Sequence, residues 1–212
     1  MCAERIFRQD DYSVELECIE TERLLLRPLT VSDADTIALL ADNKRVAEML
    51  STMPYPYTVA DARTFLDQIG NRPVFAITDK ATATLMGVIG LAKANDRSAE
   101  LGYWLGEPYW GNGFATEAAH AVIDWGFSEL QLDAISICCR VINESSRQVI
   151  AKCGAQYTGT FLQKNRAVGG SVPTDRYRLD RAIWRSLKRW QHQAARNAAS
   201  RGEHAQRPVV IT

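Results

Sequence analysis

Apolar positions along this 212-residue chain change period several times, and each change marks an element. Residues 22–29 are Leu-rich and stop at Pro28, which predicts a first strand and a turn after it. Ser32 and Asp33 then offer an N-cap ahead of Ala34, Ile37, Ala38, Leu40 and Ala41, an apolar spacing that fits a helix. A short second helix is predicted over 45–50. Pro54 and Pro56 end it, because each proline lacks an amide hydrogen and biases its predecessor away from α. Thr58 caps a third helix through Ala62, Phe65, Leu66 and Ile69.

After Pro73 the period becomes two. Residues 74–77, 85–91 and 99–105, separated by short polar turns, read as antiparallel strands in a meander. Helical spacing returns from Gly113 to about Leu130, with Ala115, Ala119, Val122 and Gly126 on one side, small enough to let the helix approach a sheet closely. A continuous apolar strand (134–141), a helix (143–153) with Gly154 as its C-terminal cap, a strand (155–161), a loop (163–173) and a last strand (174–179) follow. From Arg181 onward Ile183, Trp184, Leu187, Trp190 and Ala194 recur every three or four residues with bases between them, and polarity from Ala198 predicts fraying. These elements make a mixed α/β domain whose sheet is mostly antiparallel and flanked by helices. The expected organisation is an N-terminal extension (1–19), one domain (20–184) and a basic C-terminal helix and tail (185–212).

Composition narrows the class. Hydrophobic residues are 46% and charged residues 24%, ordinary for a soluble globular chain. No run of about 18 apolar residues exists, and Met1-Cys2-Ala3-Glu4-Arg5 is no signal core, so a cytoplasmic protein without membrane contact is expected. Five cysteines without a C-x-x-C pair read as free thiols. His120, His192 and His204 have no ligand spacing, and no metal is expected. The zero net charge conceals a tail, 181–212, with seven Lys/Arg against Glu203 alone. A terminal helix with solvated basic edges is the favoured reading of that tail, and an RNA or acidic partner competes with it. Nucleic acid is not required for the activity inferred below.

The chemistry concentrates in Trp110-Gly111-Asn112-Gly113-Phe114-Ala115-Thr116-Glu117-Ala118, where a glycine turn joins a strand to a long helix. Two glycines remove the Cβ atoms that obstruct a tight turn, so backbone N–H groups can converge on an anion at the positive helix end. A dinucleotide fingerprint is disfavoured, because Thr116 stands at the third glycine position and Asp133 lies at the head of the next strand. A P-loop is excluded by the missing G-K-[ST] ending.

The same run resembles the acetyl-CoA pyrophosphate loop of the GNAT N-acetyltransferases, whose pattern is Arg/Gln-x-x-Gly-x-Gly/Ala. Asn143-Glu144-Ser145-Ser146 followed by Lys152-Cys153-Gly154-Ala155 resembles that family's later helix. Thr21-Glu22-Arg23-Leu24-Leu25-Leu26-Arg27-Pro28 resembles the opening strand of the branch containing the ribosomal-protein alanine N-acetyltransferases. The ordered set covers about residues 20–184. It implies the GNAT acyl-CoA N-acyltransferase fold, acetyl-CoA as co-substrate, and direct attack of a neutral amine on the thioester.

By that resemblance Trp110, Gly111, Asn112, Gly113, Phe114, Ala115 and Thr116 hold the pyrophosphate. The strand bearing Tyr103, Trp104 and Leu105 splays from 134–141 to admit the pantetheine arm and steadies the oxyanion with its amides. Asn143 bonds the cofactor, Ser146 sits near the sulfur, and Arg147 and Lys152 are candidates for the phosphates, with a solvated helix face as the alternative for both. Tyr55, Tyr57 and the loop 163–172 flank the acceptor, although prolines and tyrosines also make ordinary surface turns.

An α-amino group of pKa about 7.7–8.0 is already substantially neutral near neutrality, whereas a lysine is neutral only at roughly the 0.1% level, so an α-amine asks less of the enzyme. Glu100 is the candidate general base, with an edge-strand acid opposing Arg97 as the competing reading. Ser146 is the candidate acid toward the leaving thiolate, or else only orients the sulfur. Two departures from the family pattern stand out: Trp110 occupies the Arg/Gln position, and Ile150 stands where many members carry a tyrosine acid. Cys139 or Cys153 as an acyl-carrying nucleophile is a minor alternative. The expected acceptor is a ribosomal or other protein N-terminus. A small-molecule amine (polyamine, amino acid or aminoglycoside) is the alternative within the same reaction, and a non-catalytic acyl-CoA-binding module the alternative outside it. A homodimer is compatible with the resemblance.

Overall fold

The computed structural model of the chain describes residues 16–70 and 72–204. Strands β1 (Ile19–Glu20) and β2 (Leu24–Pro28) precede helices α1 (Ala34–Ala41), α2 (Lys44–Met49) and α3 (Val59–Ile69). Strands β3 (Val74–Asp79), β4 (Leu85–Asn95) and β5 (Ser98–Leu105) then form the meander. The second half comprises α4 (Phe114–Ser128), β6 (Ala134–Arg140), α5 (Glu144–Lys152), β7 (Gln156–Asn165), β8 (Gly170–Asp180) and α6 (Arg181–His204). The eight strands make one sheet in the order β1-β2-β3-β4-β5-β6-β8-β7. Every pairing is antiparallel except β5 with β6.

The period-two alternation of the strands divides the core between the two faces of the sheet. Phe75, Ile77, Leu101 and Ile135 pack with Ala119, Val122 and Phe127 of α4 on one side. Ala76 and Leu85 pack with Ile37, Ala38 and Ala62 on the other. Gly126 lets α4 sit close, since a Cβ there would lie 2.7 Å from Leu91 Cδ1. Burying both faces is what allows the single parallel pair in the middle of the sheet.

Four boundaries differ from the sequence reading. The sheet begins at Ile19, which pairs with Leu26, inside the expected extension, while residues 1–15 lie outside the described part. Asp33 is the N-cap position of α1 as read, but a 3-10 turn over Val31–Asp33, capped by Thr30, precedes it. Asp33 reaches back to accept from the Thr30 amide at 2.8 Å, and Arg27 donates to the same carboxylate at 2.7 and 2.9 Å. The expected loop 163–173 is mostly strand, because β7 and β8 continue their register to Asn165 and Gly170 and leave a short turn. Helix α6 continues past Ala198 to His204.

Candidate active site

The parallel pair stops early. Register between β5 and β6 runs from Ser98 opposite Ala134 to Leu101 opposite Ile137 and goes no further. Beyond that point β5 stays with β4 through Leu105, and β6 stays with β8 through Arg140. Each strand follows its antiparallel partner, so the two diverge and open a wedge. Gly106 N–H donates to Met86 across the β4 side at 2.9 Å. By the alternation of an antiparallel ladder, the Trp104 amide then also faces β4, and the Tyr103 and Leu105 amides face the gap. Trp110 Nε1 donates to the Leu105 carbonyl at 2.7 Å, tying the glycine turn to the wedge.

That turn is built as its residues dictate. Gly111 and Gly113 have φ of +78° and +80°, in the left-handed region that other residues adopt at a cost. Gly113 is the N-cap of α4 and supplies no side-chain acceptor. The N–H groups of residues 114–116 consequently have no partner within the helix and are aimed, with the helix dipole, at whatever lies before it.

Two cavities meet at the wedge. One, of about 560 Å³, is lined by Trp110, Gly111, Gly113, Phe114, Ala115, Thr116, Asn143, Ser146 and Lys152, with Cys138 and Cys139 of β6. The other, of about 1120 Å³, lies toward α3 and the β7–β8 turn and includes Tyr57, Asp61, Phe65 and Arg166. Both reach Glu100, Gly102, Tyr103 and Trp104. A ligand in either cavity therefore borders the same short segment of β5. The second half of α2 roofs the junction. Arg140 Nη1 and Asn165 Nδ2 both donate to the Glu48 carbonyl, at 2.7 and 2.9 Å, and Asn165 also donates to Leu50 O at 3.0 Å.

The Acetyltransferase (GNAT) domain family matches residues 23–156, more than half of the chain. The chain belongs to the GNAT acetyltransferase family. Among its relatives, the uncharacterized N-acetyltransferase YoaA of Bacillus subtilis is 31% identical, over 76% of this chain and 95% of its own. The putative ribosomal N-acetyltransferase YdaF of the same organism is 26% identical, over 72% and 85%. RimL, a ribosomal L7/L12 alpha-N-protein acetyltransferase solved with coenzyme A, superposes with a TM-score of 0.68 at 21% identity, over 77% of this chain and 98% of its own. The GNAT fold and an acyltransferase activity follow from these matches.

Within this GNAT domain several expected residues come together. Ser146 Oγ lies 2.8 Å from Tyr103 Oη, and the Ser146 amide donates to Asn143 Oδ1 at 3.0 Å, so Asn143 caps α5 through its side-chain oxygen. Burial pushes the Tyr103 phenol well above its ordinary value, with the Ser146 contact opposing. It stays protonated, which lets it donate to Ser146 and leave the serine hydrogen free to point elsewhere. A tyrosine thus reaches the serine from β5, although the α5 position holds Ile150, which is fully buried. Glu100 lies on an interior strand rather than an edge, and Arg97 is paired with Asp133. Burial raises the Cys139 thiol and takes the Cys153 thiol up to about 12, which suppresses both as nucleophiles.

Three expected residues are not at the cavities. Arg147 is held by Asp175, whose carboxylate is 2% exposed and needs a cation. Asn112 does not line the smaller cavity; its side chain donates to Trp110 O at 3.1 Å and its carbonyl accepts from Arg23 Nη1 at 3.0 Å. Tyr55 is 45% exposed and lines neither cavity, whereas Tyr57 is buried in the larger one. Conversely, Arg45 of α2 lines the smaller cavity, and no local sequence signal marks it, because it comes from about 65 residues before the turn it joins. Among the described residues no cluster of three or more His, Cys, Asp or Glu suits a metal ion, and no helix is long and apolar enough to cross a membrane.

Proposed function

We propose that this protein transfers an acetyl group from acetyl-CoA to a primary amine, with a protein or peptide N-terminus as acceptor. The observation that carries the reading is the meeting of two cavities at residues 100–104 of β5, where one side has an anion-binding turn and the other a larger, partly apolar basin. The residues fit the donor. Free amides at 114–116 and two Cβ-less turn positions suit a pyrophosphate, and the wedge suits a pantetheine arm running toward Ser146. Acetyl-CoA supplies an activated acyl thioester.

Glu100, directly or through water, takes the proton from the attacking amine. The Tyr103 and Leu105 amides face the gap in which the carbonyl oxygen gains charge. Ser146, oriented by Tyr103 and by its bond to Asn143, gives a proton to the departing thiolate. A basin of about 1120 Å³ exceeds what a small amine needs and suits several residues of an extended peptide. The ribosomal-protein acetyltransferases among the relatives favour the same acceptor class, and catalysis in the cytoplasm accords with it.

Thiol release should be measured with acetyl-CoA and a panel of peptides with free N-termini, the same peptides with blocked N-termini but free lysines, polyamines and aminoglycosides. Free N-termini should be preferred by at least tenfold. Equal turnover of blocked peptides would reject the α-amine reading, and CoA binding without any acceptor-dependent release would reduce the protein to a binding module.

A further inference from the structure

Trp110 occupies the position at which the glycine turn of this family carries Arg or Gln, so the turn's own sequence lacks the side chain that would accompany its amides. The structure places another cation beside it. Arg45 lies with its guanidinium carbon 5.3 Å from the centre of the Trp110 ring. The ring is itself fixed, because its Nε1 donates to Leu105 O at 2.7 Å. Glu107, on the turn just before Trp110, holds Arg45 through Nη1 and accepts from Asn43 Nδ2 at 2.6 Å. Asn43 is also the N-cap of α2, accepting from the Arg45 amide at 2.9 Å. Both Arg45 and Trp110 line the smaller cavity together with Gly111 and Gly113.

We infer that Arg45 is a phosphate-binding residue of this site, delivered from α2 onto the face of Trp110 to replace the charge the turn lacks. This rests on the coenzyme reading above. Only Nη1 is engaged with Glu107, and Arg45 Nε and Nη2 make no hydrogen bond to the described residues. A guanidinium is suited to this double attachment: it stacks on an aromatic ring and still presents a planar fork of donors to an oxyanion. The ring and Glu107 limit the rotamers that a long exposed arginine must lose on binding, which is what turns an otherwise weak surface cation into a specific one. Its position beside residues 110–113 assigns it to the pyrophosphate rather than to the ribose 3′-phosphate.

Affinity is measured by calorimetry for CoA, 3′-dephospho-CoA and pantetheine, with circular dichroism to confirm folding. Arg45→Ala should weaken CoA and dephospho-CoA about tenfold and leave pantetheine unchanged. The double variant R45A/E107Q should remain weak, showing that the loss is not repulsion by an uncovered Glu107. The double variant R45A/W110R, which restores an arginine inside the turn, should recover most of the affinity. Unchanged CoA affinity in R45A, an equal loss for pantetheine, a loss absent with dephospho-CoA, or full recovery in R45A/E107Q would each overturn the assignment. If the unsubstituted protein binds none of the three, the coenzyme reading fails instead.

Discussion

Single side chains here are understood through what they already hold. Arg147 is a phosphate candidate in the sequence and Arg45 carries no local signal, yet their partners reverse that order. The first neutralises the buried Asp175, and the second stands on Trp110 at a cavity. Ser146 owes its orientation to Tyr103, a contact between residues 43 positions apart. Glu100 is a candidate base in the sequence because it stands near the head of the strand before the glycine turn, and only the sheet order and the cavities show that β5 is interior and that Glu100 borders both. Glu100→Gln should lower turnover by roughly 10²-fold or more with the acetyl-CoA KM unchanged. The remaining rate should rise with pH as the amine loses its own proton, so the deficit is largest at low pH. A uniform small loss at every pH would leave Glu100 a structural role.

The glycine turn and α4 act as one element. Helical spacing, two glycines and a small-residue face are local signals, and they predicted this element to within a few residues. The turn's φ values near +80° make Gly113 the place to test it. Gly113→Val forces a β-branched residue into the left-handed region at a cost of about 1–3 kcal/mol and brings a side chain toward Arg23, whose Nη2 would lie 3.4 Å from the Cβ. The variant should melt lower yet remain folded, and bind CoA at least tenfold more weakly. Unchanged CoA affinity in a folded variant would remove the cradle assignment. By contrast, residues 163–173 read locally as a loop between two strands, because Gly169, Gly170 and Pro173 signal a turn, while the pairing that extends both strands into it is non-local.

At the scale of the molecule, buried or half-buried carboxylates tie segments together, Glu117 and Asp175 between residues far apart in the chain and Asp33 between β2 and the turn that follows it. Burial by itself would raise Asp33, Glu117 and Asp175, but Arg27 and Thr30, Thr21 and Arg23, and Thr160 and Arg147 respectively outweigh it and hold all three below their ordinary values. Depressed folded values mean stability that is complete above the unfolded pKa of about 4 and lost as pH falls through the folded values. Denaturant midpoints should therefore drop steeply below about pH 4. Asp33→Asn should lower the midpoint at pH 7 and lose less on acidification than the unsubstituted protein, and parallel pH profiles would refute the linkage. What the sequence determined by itself is whatever is encoded within one turn or one strand: element type, the glycine turn ahead of α4 and the family to which the ordered motifs belong. Tertiary structure decided where β5 parts from β6, which bases are spent on buried acids, and that α2 brings Arg45 to Trp110. Those outcomes depend on pairings and packing between residues far apart in the chain, and no local period or spacing records them.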